Sequence, residues 1–355
     1  MIYYVIIIFI FLWLFLSKLT ANGRFNAGLL AIPIFILLWL VMGLRGDSVG
    51  MDTAHYHRIF DMVSLMPLKD IFQKVLYIEP GWKVMIKGVS ELGGGFLSFQ
   101  LITSAIFSIL YCSFFLYANK AFRLNRVVLM ILVSLPTLYL LSFNAARQMF
   151  AVMLVACSWS CFVAQKYKGA VLLFLIALSI HTSSLFAIPI YLIWIYRKWR
   201  LIGVVSIVSL IVIGILFTTV IAYLTKYGIY VKYLNNKSDF HQTANMAKIV
   251  WAIIAAHAFW IIWKRKKYPE YAQPVAIYCI IYVFTNMFAE DLNYFERLGL
   301  FYLPFVSIVY SIVAKEIKKP IIKYLYIGCI VLSYSIWFIL SSQSGQYVYS
   351  LAEGI

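Results

Sequence analysis

The chain has 355 residues, 64% of them hydrophobic and only 12% charged, with a formal net charge of +17. That balance excludes a soluble globular enzyme. The placement of the charge excludes a nucleic-acid binder as well, because the excess of lysine and arginine sits in alternate short loops between apolar runs rather than on one basic face.

In chain order, about twelve apolar runs read as transmembrane helices, at 2–17, 27–44, 96–118, 127–142, 147–164, 169–180, 182–196, 201–222, 249–263, 272–288, 299–313 and 321–340. The expected fold is an all-α polytopic membrane protein, with residues 1–355 forming a single integral membrane domain. The first run lacks a basic segment before it and a small-residue cleavage site after it, so it reads as a span and not as a signal peptide. Loops on one side hold 18 basic and two acidic residues, against 12 basic and 11 acidic on the other. The positive-inside rule makes the first side cytoplasmic and the second exterior or periplasmic, with both termini on the exterior side. The five cysteines fall inside apolar runs without histidine or acid at ligand spacing. They read as small buried hydrophobes, with neither disulfide nor metal expected.

The exterior loop 45–95 holds six of the thirteen acids, namely Asp47, Asp52, Asp61, Asp70, Glu79 and Glu91, together with His55 and His57. It opens with Arg45-Gly46-Asp47-Ser48-Val49-Gly50-Met51-Asp52, whose glycines allow a tight turn that gathers Arg45 and two carboxylates ahead of Tyr56. Those charges form either a structural ion pair or a polar binding surface. Apolar residues then recur at helical spacing: Tyr56, Ile59, Phe60 and Val63; Leu68, Ile71, Phe72 and Val75; Trp82, Met85, Ile86 and Val89. The spacing predicts three short amphipathic helices, broken at Pro67 and at Glu79-Pro80-Gly81, with apolar faces on the bilayer interface or the bundle. Glu79 is a turn acid or an acceptor for a sugar hydroxyl.

Further along, Arg147 stands between two apolar runs, where an arginine either snorkels to the interface or faces a cavity and grips an anion such as phosphate. Residues 169–196 are too short for two full crossings, so they predict two short helices meeting at His181-Thr182-Ser183-Ser184. That turn would sit below the exterior surface, with His181 either on the floor of a wet pocket or satisfied in an ordinary turn. The tyrosines at 223, 227, 230 and 233 are interfacial belt or sugar-stacking residues. His257 reads as a buried core histidine. Arg297 follows the acids Glu290, Asp291 and Glu296, so an ion pair competes with anion binding there. No phosphate-binding glycine loop, dinucleotide fingerprint, Asp-x-Asp pair or zinc-type histidine pair occurs.

Arg45-Gly46 to Asp52 and Tyr56, Glu79-Pro80-Gly81-Trp82, Arg147-Gln148, His181-Thr182-Ser183 and Glu296-Arg297 occur in an order that resembles the EpsG-like branch of Wzy-type polysaccharide polymerases, over roughly residues 40–305. The resemblance implies a GT-C-type architecture. It implies a glycosyltransferase that joins oligosaccharide repeat units carried on undecaprenyl diphosphate at the periplasmic face of the bacterial inner membrane. The growing glycan would pass to the non-reducing end of a new unit. A flippase and a chain-length regulator are the implied partners; no cofactor, metal or nucleic acid is.

On that reading Arg147 and Arg297 neutralise the leaving diphosphate, and Arg45 does so or orders the loop. His181 takes the acceptor proton, with Asp52 as the rival base, and the reaction inverts the anomeric carbon. Glu79, Tyr56 and Asp47 complete the expected substrate-binding set. A flippase or transporter and an O-antigen ligase are the rivals. A flippase should carry polar residues accessible from both sides, and a ligase should carry its large loop late in the chain.

Overall fold

The computed structural model describes residues 2–19, 27–72, 78–124, 127–197, 244–287, 297–343 and 345–352. The run 201–222, the four-tyrosine series and the acids Glu290, Asp291 and Glu296 lie outside them.

The regular structure among the described residues is helical, apart from one isolated antiparallel β-bridge, Arg45 with Leu351. The helices are α1 (Ile2–Leu19), α2 (Ala27–Gly43), α3 (Thr53–Ser64), α4 (Pro80–Glu91), α5 (Phe96–Ala121), α6 (Val127–Asn144), α7 (Ala146–Val163), α8 (Tyr167–Ile180), α9 (Ile188–Ile195), α10 (Ala244–Trp263), α11 (Ala272–Met287), α12 (Arg297–Glu316) and α13 (Pro320–Ser342). Five of them, α5, α6, α7, α12 and α13, are long and apolar enough to cross a membrane, and shorter apolar helices cover the other runs within the described residues. Large apolar side chains stand exposed along several helices, among them Ile8, Leu172, Leu175, Leu325 and Leu332. In water these would be a liability; in lipid they are the matching surface. The chain is a multi-pass membrane protein.

Two compact units make up the chain, residues 1–185 with 317–355, and residues 186–316. In the first, α7 packs along α8, α2 along α5, and α13 against α6. Helix α6 is almost wholly buried and contains a π turn at Leu135–Tyr139, where Pro136 removes a backbone donor. In the second, α11 packs on α10 and α12, and the Tyr278 hydroxyl donates to the Ile190 carbonyl at 2.7 Å.

The outer loop forms two of the three expected amphipathic helices. Tyr56, Ile59, Phe60 and Val63 of α3 are all buried, as are Trp82, Ile86 and Val89 of α4. Trp82 meets Phe99 and Phe150 edge-on, so these faces pack on the bundle. In place of the middle helix, the described residues show a 3-10 turn, Leu68–Asp70, with Leu68 and Phe72 exposed; Val75 is outside the described residues. Pro67, extended at ψ 144°, supplies no helical cap for a longer element. Cys112, Cys157 and Cys279 are buried as expected, whereas Cys161 is part-exposed and Cys329 exposed. His257 bonds the Ile253 carbonyl at 2.7 Å one turn back in its own helix.

Residues 345–352 strap the start of the loop. Gly46 N–H donates to the Ser350 carbonyl at 2.9 Å, Ala352 N–H to the Leu44 carbonyl at 3.0 Å, and the Ser48 and Ser350 hydroxyls pair at 2.8 Å. Asn144 joins strap, loop and bundle: its amide donates to the Tyr347 hydroxyl at 2.9 Å, and its oxygen accepts Met51 N–H at 2.8 Å. Gly50 is held at φ +89° with a would-be Cβ 2.5 Å from the Phe143 carbonyl oxygen, a place only glycine fills without strain.

Candidate functional site

Glu79 is the hub. It precedes Pro80 at the first position of α4, and its own backbone is extended (φ −65°, ψ 145°), as a residue before proline prefers. The carboxylate therefore leaves the helix end pointing at another element, the C-terminus of α8. Gly81 permits the approach: a Cβ there would lie 2.3 Å from the Ser179 hydroxyl and 2.6 Å from the Ser179 carbonyl oxygen.

His181 caps α8 in extended conformation (φ −154°, ψ 110°), and a 3-10 turn, Thr182–Ala187, follows it. The chain thus breaks between two short helices at the His181-Thr182 step. The His181 Nδ1 lies 3.0 Å from Glu79 Oε1, and Thr182 N–H donates to the same oxygen at 3.3 Å. Arg147, in the first turn of α7, donates from Nη1 to Glu79 Oε2 at 2.5 Å. Three elements distant in sequence meet on one carboxylate.

The side chains of Glu79, Arg147 and His181 are 13%, 20% and 17% exposed, so solvent screens their pairing only in part. Burial works against the Glu79 charge. The His181 hydrogen bond and the Arg147 charge outweigh it and hold the carboxyl at about 2. An ionised carboxylate only accepts hydrogen bonds, so the proton between the two groups belongs to His181 Nδ1. In the neutral imidazole the lone pair is then on Nε2.

Arg147 also faces Tyr56, whose hydroxyl is raised above its ordinary pKa by burial while the guanidinium pulls the other way. The Arg147 Nε is buried, with no hydrogen-bond partner among the described residues. Glu79 and Tyr56 thus each take a part of the guanidinium.

The remaining expected residues are placed differently. Arg45 does not join Asp47 and Asp52 in an ion pair. It turns inward and is 4% exposed, with Nη1 donating to the Met42 carbonyl, Nε to Thr53 Oγ1 at 3.4 Å, and its guanidinium 5.0 Å from the centre of the Phe143 ring. Burial lowers it to about 10. Of its two expected roles, ordering the loop is the one this geometry serves. Asp47 pairs with His57 Nδ1 at 2.5 Å, and His57 stacks on Phe96 with centroids 4.3 Å apart. Asp52 precedes α3 and acts electrostatically on Tyr56 and Tyr347. Arg297 opens α12 in the second unit.

A small half-open cavity adjoins the cluster. Its wall includes Tyr56, Ala146 next to Arg147, and Trp82 in the first turn after Glu79. Sequence reasoning missed two other lining residues, Gln100 and Ser104, because polar residues inside a long apolar run read as span interior. It also missed Thr182 N–H, a backbone donor with no side-chain signature.

A family model, the EpsG family, matches residues 28–351, nearly the whole chain. The chain belongs to the EpsG family. EpsG proteins are a Wzy-type, polymerase-like family, so this EpsG-family chain is a polymerase-like membrane protein of polysaccharide synthesis. No curated protein and no solved structure matches it. Among the described residues, every side chain of the Glu79 cluster lies inside the matched range of the EpsG model.

Proposed function

We propose that this protein is a repeat-unit polymerase of the bacterial inner membrane, with about twelve spans in a GT-C-type arrangement. It transfers a growing glycan from undecaprenyl diphosphate to the non-reducing-end sugar of a new lipid-linked unit on the periplasmic face. The observation that carries the reading is the convergence of Arg147 and His181 on Glu79 in one partly exposed cluster beside the outer loop.

Glycosyl transfer to a hydroxyl needs a base for the acceptor proton and positive charge for the leaving diphosphate. His181 is the base through Nε2, with Glu79 holding its ring and tautomer and stabilising the imidazolium once the proton arrives. Arg147 faces the diphosphate with its positive charge. Arg297 supplies the second positive charge. In-line attack by the acceptor oxygen breaks the bond between anomeric carbon and phosphate oxygen, inverts that carbon and releases the lipid diphosphate. Tyr56 and Asp47 belong to the substrate-binding set, and Asp52 is the rival base. A flippase and a chain-length regulator work with it.

The test is a gel of surface polysaccharide from a strain lacking the gene, complemented with wild type or with His181→Ala, Arg147→Ala or Arg297→Ala. Single units still attached at the surface, with the ladder lost in the deletion and restored only by wild type, is the expected result. Loss of every attached unit, with lipid-linked material accumulating, would point instead to a flippase or a ligase.

A further inference from the structure

The peptide that joins His181 to Thr182 has both of its polar ends occupied, each by a different part of the fold. Its N–H donates to Glu79 Oε1 at 3.3 Å. Its carbonyl, that of His181, accepts twice from one residue: from Ser184 N–H at 3.0 Å and from the Ser184 hydroxyl at 2.7 Å. The peptide is trans. In a trans peptide C=O and N–H share one plane and point opposite ways, so holding one end aims the other.

The break in the chain makes this hold necessary. His181 leaves α8 in extended conformation, so the helical ladder ends there and its carbonyl needs another donor. Its own N–H still closes on the Ala177 carbonyl at 2.9 Å. The backbone of His181 is thus pinned on one side by the helix and on the other by Ser184. Between those two anchors the ring reaches Glu79 Oε1 at 3.0 Å, the same oxygen that takes Thr182 N–H. Ser184 is 0% exposed, so bulk water does not compete for its hydroxyl. Donation into the carbonyl also polarises the peptide and strengthens the N–H at its far end as a donor to Glu79.

We propose that Ser184 is a positioning residue of the site: it aims the His181–Thr182 peptide at Glu79, and so keeps the His181 proton on Nδ1 and the lone pair on Nε2. Ser184 acts through the peptide and not on substrate. Its role in catalysis rests on the polymerase reading above, and adds to that site a residue outside the His181-Thr182-Ser183 run.

The experiment is solid-state nitrogen NMR of the full chain in lipid bilayers, with isotope-labelled histidine, at a pH where imidazole is neutral. Ring nitrogen shifts report which atom carries the proton, and the His181 signals are those lost in His181→Gln. In the wild type the proton is expected on Nδ1. Ser184→Ala should move a measurable share of it to Nε2 and lower polymer synthesis about three- to tenfold, the scale of one lost hydrogen bond. Ser184→Cys keeps the shape and donates weakly, so it should fall between wild type and alanine. It carries the test alone if Ser184→Ala does not fold. A lowered melting temperature with the wild-type tautomer would mean a serine that only stabilises the fold, and would overturn the role. So would a wild-type proton on Nε2. The polysaccharide gel fails separately. A ladder that persists without the gene removes the polymerase, while a tautomer shift in Ser184→Ala still supports the positioning. A chain that builds the ladder with a tautomer indifferent to Ser184 keeps the polymerase and loses the positioning.

Discussion

Glu79 and His181 are 102 residues apart in the chain and meet at 3.0 Å. The carboxylate fixes which imidazole nitrogen carries the proton. Glu79→Gln can present an amide N–H to Nδ1, which reverses the tautomer and moves the proton to Nε2. Polymer synthesis should fall about 10²-fold or more, the usual scale of a lost general base, with Glu79→Asp retaining part of it. Ladder length against time in complemented cells checks this.

Stability should carry the same signature in acid. The Glu79 carboxyl is at about 2 in the fold against an ordinary 4.5, a depressed pKa. Its contribution is therefore complete above about 4.5 and is lost as pH falls toward about 2. Melting temperature of the wild type should drop through that window more steeply than that of Glu79→Gln. At neutral pH the variant should be the less stable by about 1–3 kcal/mol, since it leaves Arg147 half-buried without its counter-charge.

Gly81→Ala tests the approach of α4 to α8 without touching a chemical group. Its Cβ would collide with the Ser179 carbonyl, so the helices must part and carry Glu79 away from His181. Polymerisation should fall at least about tenfold, since small misplacements of catalytic groups are costly. Gly88→Ala, in the same helix with open space around it, should be silent.

Arg45 and Arg147 should separate by readout. Arg45→Met removes an inward cation that bonds the Met42 carbonyl and Thr53, and should lower the melting temperature by the equivalent of about 1–3 kcal/mol. Arg147→Gln should leave a folded chain that does not polymerise. Glu79→Gln combined with Arg147→Gln should cost far less than the sum of the two, as expected of groups acting as a unit.

Much of this was legible in the sequence. Basic clusters flanking 28 residues forced a break near His181, and helical spacing marked the faces of α3 and α4 that are buried. The partner of each charge was not legible. Arg45 has Asp47 two residues away, yet a backbone carbonyl takes it inward while Asp47 goes to His57. Local proximity in sequence says little once the loop folds on the bundle. Leu68, Ile71 and Phe72 have helical spacing, but a stretch begun at Pro67 closes only a 3-10 turn. Glu79 reads in sequence as a turn acid or a sugar-hydroxyl acceptor and not as a hub, because nothing near it announces Arg147 or Thr182.

The strap from Tyr347 to Ala352 has a bearing on biosynthesis. Ser48 and its partner Ser350 are 302 residues apart, so the ribosome releases the outer loop long before the segment that ties it down exists. Until then Gly46 N–H and Leu44 C=O have no strap to bond. A chain cut short ahead of Tyr347 would contain Glu79, Arg147 and His181 and still hold its outer loop unfastened. The strap thus ties the timing of one to the other: the loop that presents the cluster locks only once Tyr347–Ala352 has been synthesised.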